Sequence, residues 1–166
     1  MDTCILLVST CLIFLAEGDS KVSQPSGFQI CLVQETKSSE TEQLPMFQKD
    51  KLVKETVTET LNVDKKPLLD QKSVKSAAVE KDKRQPFFNI AITFTDEGKK
   101  LLAEITRQNI GKRIAIVVDG RVYADPRIMT AITGGKAEIA GNFSEQEAKD
   151  LAEKINKAAT KNENKN

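Results

Sequence analysis

The sequence contains no histidine and no tryptophan. The first absence removes the commonest general base and the commonest metal ligand. Cysteine is scarce too: the three present, Cys4, Cys11 and Cys31, are too few and too N-terminal for a disulfide framework. An excess of one charge is also missing. Lys and Arg total 25 against 24 Asp and Glu, a net charge of +1, so no overall field argues for nucleic acid or membrane binding. The longest apolar run, at 4–16, falls short of the roughly 20 residues that a membrane-crossing helix needs.

That run, CILLVSTCLIFLA, has instead the length of a signal-peptide core. Ala16 and Gly18 place small residues around Glu17, as a signal peptidase requires, so residues 1–18 are expected to be a signal peptide cleaved before Asp19. The region ahead of the run carries Asp2 and no Lys or Arg. Acylation of Cys11, which follows Val8-Ser9-Thr10, or retention as an uncleaved anchor are the alternatives. Residues 19–26 read as a linker. With the leader removed Cys31 is a lone thiol, read as a small core residue rather than a nucleophile.

A chain of 166 residues suits one domain plus tails. The domain is expected at 27–158, ahead of a polar tail at 159–166 that cannot bury enough apolar surface to fold. It is organised around the stretch 111–126, in which an apolar strand, Ile114 to Val118, ends at Asp119-Gly120. That pair can take the positive φ of a two-residue hairpin turn. Ile114, Ile116 and Val118 alternate with the equally apolar Ala115 and Val117, so the strand is expected to be central and covered on both faces. A second short strand stops at Asp125-Pro126.

Upstream, 28–35 reads as a strand with Phe28, Ile30 and Leu32 on one face, and 36–43 as a surface loop. The segment 51–63 fits a strand or a short helix; its β-branched residues favour strand. A turn at 67–70 leads to a short helical segment at 71–74 and a strand at 76–80, and 81–84 reads as a solvated hairpin loop. Phe88, Ile90, Ile92 and Phe94 give the strand 87–95 one apolar face. Thr95 can cap a helix whose stripe is Leu101, Leu102, Ile105 and Asn109 and which Gly111 ends. Ile128, Met129 and Ile132 form a short apolar segment before a turn at Gly134-Gly135 and a last strand at 136–142. Gly141-Asn142 is read as a turn into the capping box Ser144-x-x-Glu147, and Ala148, Leu151, Ala152 and Ile155 line the helix after it. The expected fold is α+β: a mostly antiparallel sheet with two main helices packed on one face, ferredoxin-like in style.

Chemistry is hard to place on this frame. Gly134-Gly135-Lys136 lacks the GxxxxGK[ST] spacing of a phosphate loop. Asp119 and Asp125 could face each other across the hairpin, but the turn calls for Asp at 119 on backbone grounds. No nucleophile with a base, no metal cluster and no cofactor loop is visible, so the protein is read as not an enzyme and as needing no cofactor.

The residues from about 88 to 158 nevertheless carry a pattern. It comprises Thr106-x-x-Asn109-x-Gly111-Lys112-Arg113-Ile114-Ala115-Ile116-Val117, then Asp119-Gly120, Pro126, Ile132-x-x-Gly135, and Gly141-x-Phe143-x-x-x-Glu147-Ala148. This resembles the head part of the first periplasmic domain of SecD, the accessory subunit of the bacterial Sec preprotein translocase. The best-matched part is 87–158, and PLLDQKSVKSAAVEKD at 67–82 is similar to the segment leading into that domain. SecD itself has several transmembrane helices and works in proton-driven late steps of translocation. Where SecD-like domains usually have Ser-Ala-Pro after the hairpin, this chain has Ala124-Asp125-Pro126.

The resemblance implies a detached head domain, exported and held in the periplasm or at the outer face of the cytoplasmic membrane. It implies a non-enzymatic binding module that assists translocation, with exported polypeptides or Sec translocase subunits as partners, met through an exposed strand edge or the loop 126–135. Arg121, Tyr123, Arg127 and Met129 are the candidate contact residues. The plain alternative for them is partial core for Tyr123 and Met129 and solvated charge for the arginines. The alternative function is a periplasmic ligand-binding or envelope-structural domain that shares only the fold.

Overall fold

The computed structural model describes residues 27–49 and 55–161. The expected leader, the linker at 19–26 and the end of the tail lie outside the described residues.

Asp119 and Gly120 take φ values of 48° and 75°, the two positive angles of a type I′ turn. This turn joins β7 (Ile114–Val118) to β8 (Arg121–Ala124), as expected. All of β7 is buried because it is flanked by β8 on one side and by β1 (Phe28–Gln34) on the other. Its alternation feeds two cores: Ile114, Ile116 and Val118 belong to one, Ala115 and Val117 to the other.

The second of these cores is the inside of a barrel. β1 pairs with β3 (Glu55–Asp64), β3 with β2 (Thr41–Lys49), and β2 with β8 through a parallel contact at Met46 and Val122. The ring β1-β3-β2-β8-β7 therefore closes on itself, and β4 (Leu69–Asp70) is appended to β1. Cys31, Leu44, Met46, Leu61, Val63, Ala115, Val117 and Val122 fill the interior. The strand reading of the 51–63 segment holds for β3. The loop reading of 36–43 is corrected: β2 begins at Thr41, which is buried and whose hydroxyl accepts from the Ser38 amide (2.8 Å) and donates to its carbonyl (3.1 Å). A polar residue enters the sheet because its hydroxyl is fully used.

A one-turn 3-10 helix, Gln71–Ser73, leads into the second sheet. That sheet contains β5 (Val74–Lys81), β6 (Phe88–Phe94) and β9 (Lys136–Phe143), antiparallel and in the order β5-β6-β9. Helices α1 (Asp96–Gln108) and α2 (Glu145–Thr160) pack on it. Thr95 caps α1, its Oγ1 accepting from the Gly98 amide at 3.0 Å, and the capping box of α2 is fully formed. Ile90, Ile92 and Ile139 from the sheet meet Leu102, Ile105, Ala148, Leu151 and Ile155 from the helices. The same core continues onto Phe28, Ile30, Ile114, Ile116 and Val118 on the outside of the barrel.

Three expectations are therefore revised. The α+β class and the largely antiparallel pairing hold, but the strands divide between two sheets because β7, apolar on both faces, needs a cover on each. A ferredoxin-like arrangement does not describe the result: β7 and β8, which follow α1, pair in the barrel rather than beside β6. Leu101 leaves the α1 stripe at 42% exposure, since Gly98, Leu102, Ile105 and Thr106 set the buried side. Helix α2 itself runs to Thr160.

Candidate functional site

A cleft of about 490 Å³ opens between the exit of β8 and strand β9. Met46, Tyr123, Asp125 and Pro126 line it on the barrel side, Glu138 and Phe143 on the other. β9 builds its half through an irregularity. Ile139 is opposite Ile90 and Phe143 is opposite Phe88, so residues 140–142 share a single partner position, Asn89. Such a bulge bends a strand and redirects its side chains. Here it places the Phe143 ring 6.4 Å from that of Tyr123, tilted by 40°. Gly141 makes this possible: a Cβ at that position would fall 2.5 Å from the Phe143 ring. The sequence reading of Gly141-Asn142 as a turn is corrected by this geometry, because the strand continues through the bulge to Phe143.

Two carboxylates of the cleft are already engaged. Asn89 donates to Glu138 at 2.5 Å. Asp125 accepts from Arg113, which also reaches Glu59 at 3.3 Å. Asp119 is far from this triad along β8. Its Oδ1 accepts from the Gly27 amide at 3.0 Å and its own amide donates to the Gly27 carbonyl at 3.1 Å. The two aspartates expected to face each other therefore do not, since they stand at opposite ends of an extended strand that rises roughly 3.3 Å per residue. Among the described residues there is no cluster of acidic, Cys or His side chains fit to hold a metal. Cys31 lies inside the barrel, where burial first and then Glu42 and Asp64 push its thiol up to about 12. It is a core residue, as read, with no thiolate to offer near neutral pH.

Of the four candidate contact residues, Tyr123 alone lines the cleft, half-buried. Arg127 and Met129 are exposed on the loop that follows Pro126. The Arg127 guanidinium donates to the Gly111 carbonyl, and Met129 is 74% exposed beside the buried Ile128. Arg121 is exposed at the other end of β8, next to the hairpin turn, so the four do not form one site. Sequence reading missed Phe143 and Glu138. The signal that could have found them was Gly141 inside an otherwise strand-like segment, which marks a bulge.

β9 has a neighbour on one side only in the sheet order, and Glu138 and residues 140–143 of it line the cleft. The model of the SecDF P1 head subdomain matches residues 46–160. This chain belongs to that family. The match takes in the P1 head from β2 to the end of α2, and so reaches upstream of the part in which the motifs are densest.

Relatives of this P1 head are translocase subunits. The SecD subunit of Syntrophobacter fumaroxidans is 37% identical over 108 residues, covering 65% of this chain and 20% of that protein. The SecDF subunit of Thermus thermophilus is 59% identical over 63 residues, covering 38% of this chain and 9% of that protein. The chain thus spans a fifth or less of these relatives. Among solved structures, a membrane component SecDF that enhances protein export superposes with a TM-score of 0.62 at 32% identity, over 80% of this chain and 62% of that one. SecDF in a super-membrane-facing form gives 0.59 at 32% identity, over 80% and 19%. Among the described residues of the head no helix is long and apolar enough to cross a membrane.

Proposed function

We propose that this P1 head is a non-enzymatic exported binding module that assists protein translocation by holding an extended stretch of an exported polypeptide along β9. The observation that carries this reading is β9, last in the order of its sheet, lining a cleft walled by Tyr123 and Phe143. A strand edge recognises any extended chain through main-chain hydrogen bonds, and apolar side pockets add grip without demanding a sequence. That suits a partner whose sequence changes with every substrate. The family supports the setting: its members are translocase subunits, and one solved relative is described as enhancing protein export. Work outside the cytoplasmic membrane, beside Sec translocase subunits, follows from that setting.

A small-ligand pocket would present free convergent polar groups. In this cleft Glu138 holds Asn89 and Asp125 holds Arg113, which favours a chain over a small ligand. The test is fluorescence anisotropy with a labelled, permanently unfolded exported protein as the probe and its folded form as the control. The unfolded probe should bind, the folded form should not, and Tyr123→Ala should weaken binding about tenfold or more, ~1.4 kcal/mol. Equal binding by the wild type and Tyr123→Ala would refute the assignment to this cleft.

A further inference from the structure

Two large apolar side chains, Ile110 at 55% exposure and Met129 at 74%, project into solvent where the end of α1 meets the loop after Pro126. The backbone fixes them there. The Gly111 amide donates to the Ile128 carbonyl at 2.8 Å, and the Ile128 amide donates to the Lys112 carbonyl at 2.9 Å. Ile110 and Met129 are the next residues beyond this pairing on its two strands. Further on, the Ile132 amide donates to Thr106 Oγ1 at 2.9 Å. Met129 therefore sits between two anchors, the buried Ile128 and Ile132, which packs against the same core. Its exposure is built into the fold.

One exposed apolar side chain needs no explanation. Here the charges around the pair all have one sign. From Ile105 to Val118 and from Pro126 to Ala137 the chain has no Asp or Glu, but it has Arg107, Lys112, Arg113, Arg127 and Lys136. Arg113 is taken up by Asp125 and Glu59. Lys112 and Arg127 flank Ile110: the Lys112 amine donates to Asn109 Oδ1 at 3.0 Å, and the Arg127 guanidinium donates to the Gly111 carbonyl. Among the described residues neither of them, nor the exposed Arg107, forms an ion pair. Projecting apolar side chains with unpaired cations around them match an anionic bilayer surface. The apolar tips enter the boundary between headgroups and acyl chains, and the cations stay among the phosphates. A protein partner would need a pocket shaped to both side chains, whereas a bilayer accepts them without one.

We propose that Ile110 and Met129, with Arg107, Lys112 and Arg127 around them, form a contact site for an anionic lipid surface. The site does not depend on the β9 cleft and stands if that reading fails. The chain has no tryptophan, so Met129→Trp in the full chain gives a single indole at the tip. Vesicles of phosphatidylglycerol and phosphatidylethanolamine should shift its emission to the blue, and bromine on the lipid acyl chains should quench it. Vesicles of phosphatidylcholine should do neither. The signal is local to residue 129, so attachment through another part of the chain, such as the apolar run at 4–16, does not mimic it. Adding Lys112→Gln and Arg127→Gln should raise the lipid concentration for the half-maximal shift about tenfold or more. All three substitutions fall on exposed side chains, and an unchanged urea midpoint shows that the fold is kept. Emission that stays at its value in water on anionic vesicles would overturn the proposal. So would an equal shift on phosphatidylcholine that the glutamines leave untouched. A shift that appears only when an unfolded exported protein is added would also overturn it and would hand the tip to a protein partner.

Discussion

At the scale of the residue, two positions near the hairpin illustrate how a side chain can matter without chemistry. Asp119 sits at φ 48°, where a side chain with Cβ is strained and Asn and Asp are best tolerated. Its carboxylate also holds the Gly27 amide at 3.0 Å, so the turn ties down the start of β1. Asp119→Ala keeps the backbone strain and loses the bond, and should cost about 1–3 kcal/mol in urea unfolding. Asp119→Asn keeps an acceptor and should stay within about 0.5 kcal/mol of wild type; a loss as large as that of alanine would show that charge rather than the bond is at work. Neither should change polypeptide binding at the cleft.

Cys31 gives a prediction in pH. Its thiol rises from the ordinary 9.0 to about 12 in the folded protein because burial disfavours the thiolate. The folded state therefore keeps a proton that the unfolded state gives up. Stability from this group is complete below 9.0 and is lost as pH rises toward 12, at ~1.4 kcal/mol per unit. Comparing urea midpoints of wild type and Cys31→Ala on both sides of 9.0 isolates the effect. The wild type should lose ground to the variant as the pH climbs, and a constant difference between them would contradict it.

At the scale of the element, Gly98 opposes its own helix. Glycine inside a helix usually costs about 0.5–1 kcal/mol relative to alanine, so Gly98→Ala in α1 would ordinarily stabilise. Here a Cβ would strike the Ser73 carbonyl oxygen, which cannot retreat because it accepts from the Thr95 amide at 2.9 Å. Gly98→Ala should therefore lower stability by about 1–3 kcal/mol, read as a fall in melting temperature. A rise would mean that the 3-10 turn gives way easily.

The same element shows what a sequence can and cannot tell. The cap at Thr95, the box at Ser144 and Glu147 and the I′ turn at Asp119-Gly120 are local signals, and each was legible. So was the double-sided burial of β7, since Ala115 and Val117 are apolar between apolar neighbours. The clash that fixes Gly98 was not, because Ser73 is remote in sequence and comes near only through the fold. Nor was the division into two sheets: which strand closes the ring with β1 depends on pairings such as Val33 with Val63, which no local pattern encodes. The candidate site divides on the same line. Tyr123 sits beside a readable turn, whereas Phe143 reaches it only because a bulge of 140–142 bends β9 back.

At the scale of the whole molecule, β1 and β7 are shared walls. Phe28 and Ile30 of β1 face the helix-side core while Cys31 faces the barrel, and β7 divides in the same manner. A strand cannot lose its pairing on one face and keep its packing on the other. The barrel and the helical layer are therefore expected to unfold together, as small single domains usually do. Cys31 reports the barrel and the helical circular dichroism signal reports α1 and α2. With increasing urea, modification of the Cys31 peptide by a thiol reagent, followed by mass spectrometry, should rise with the same midpoint as the loss of helix signal. If Cys31 became reactive well before the helices melted, the barrel would be a separate unit. The cleft, with one wall from β8 and the other from β9, would then lose its shape before the helices did. Coincident midpoints instead mean that Tyr123 and Phe143 are held in register by the stability of the entire domain. In that case Ile116→Ala on the shared strand, a buried truncation worth about 2–5 kcal/mol, should lower both midpoints equally while sparing affinity wherever the protein remains folded.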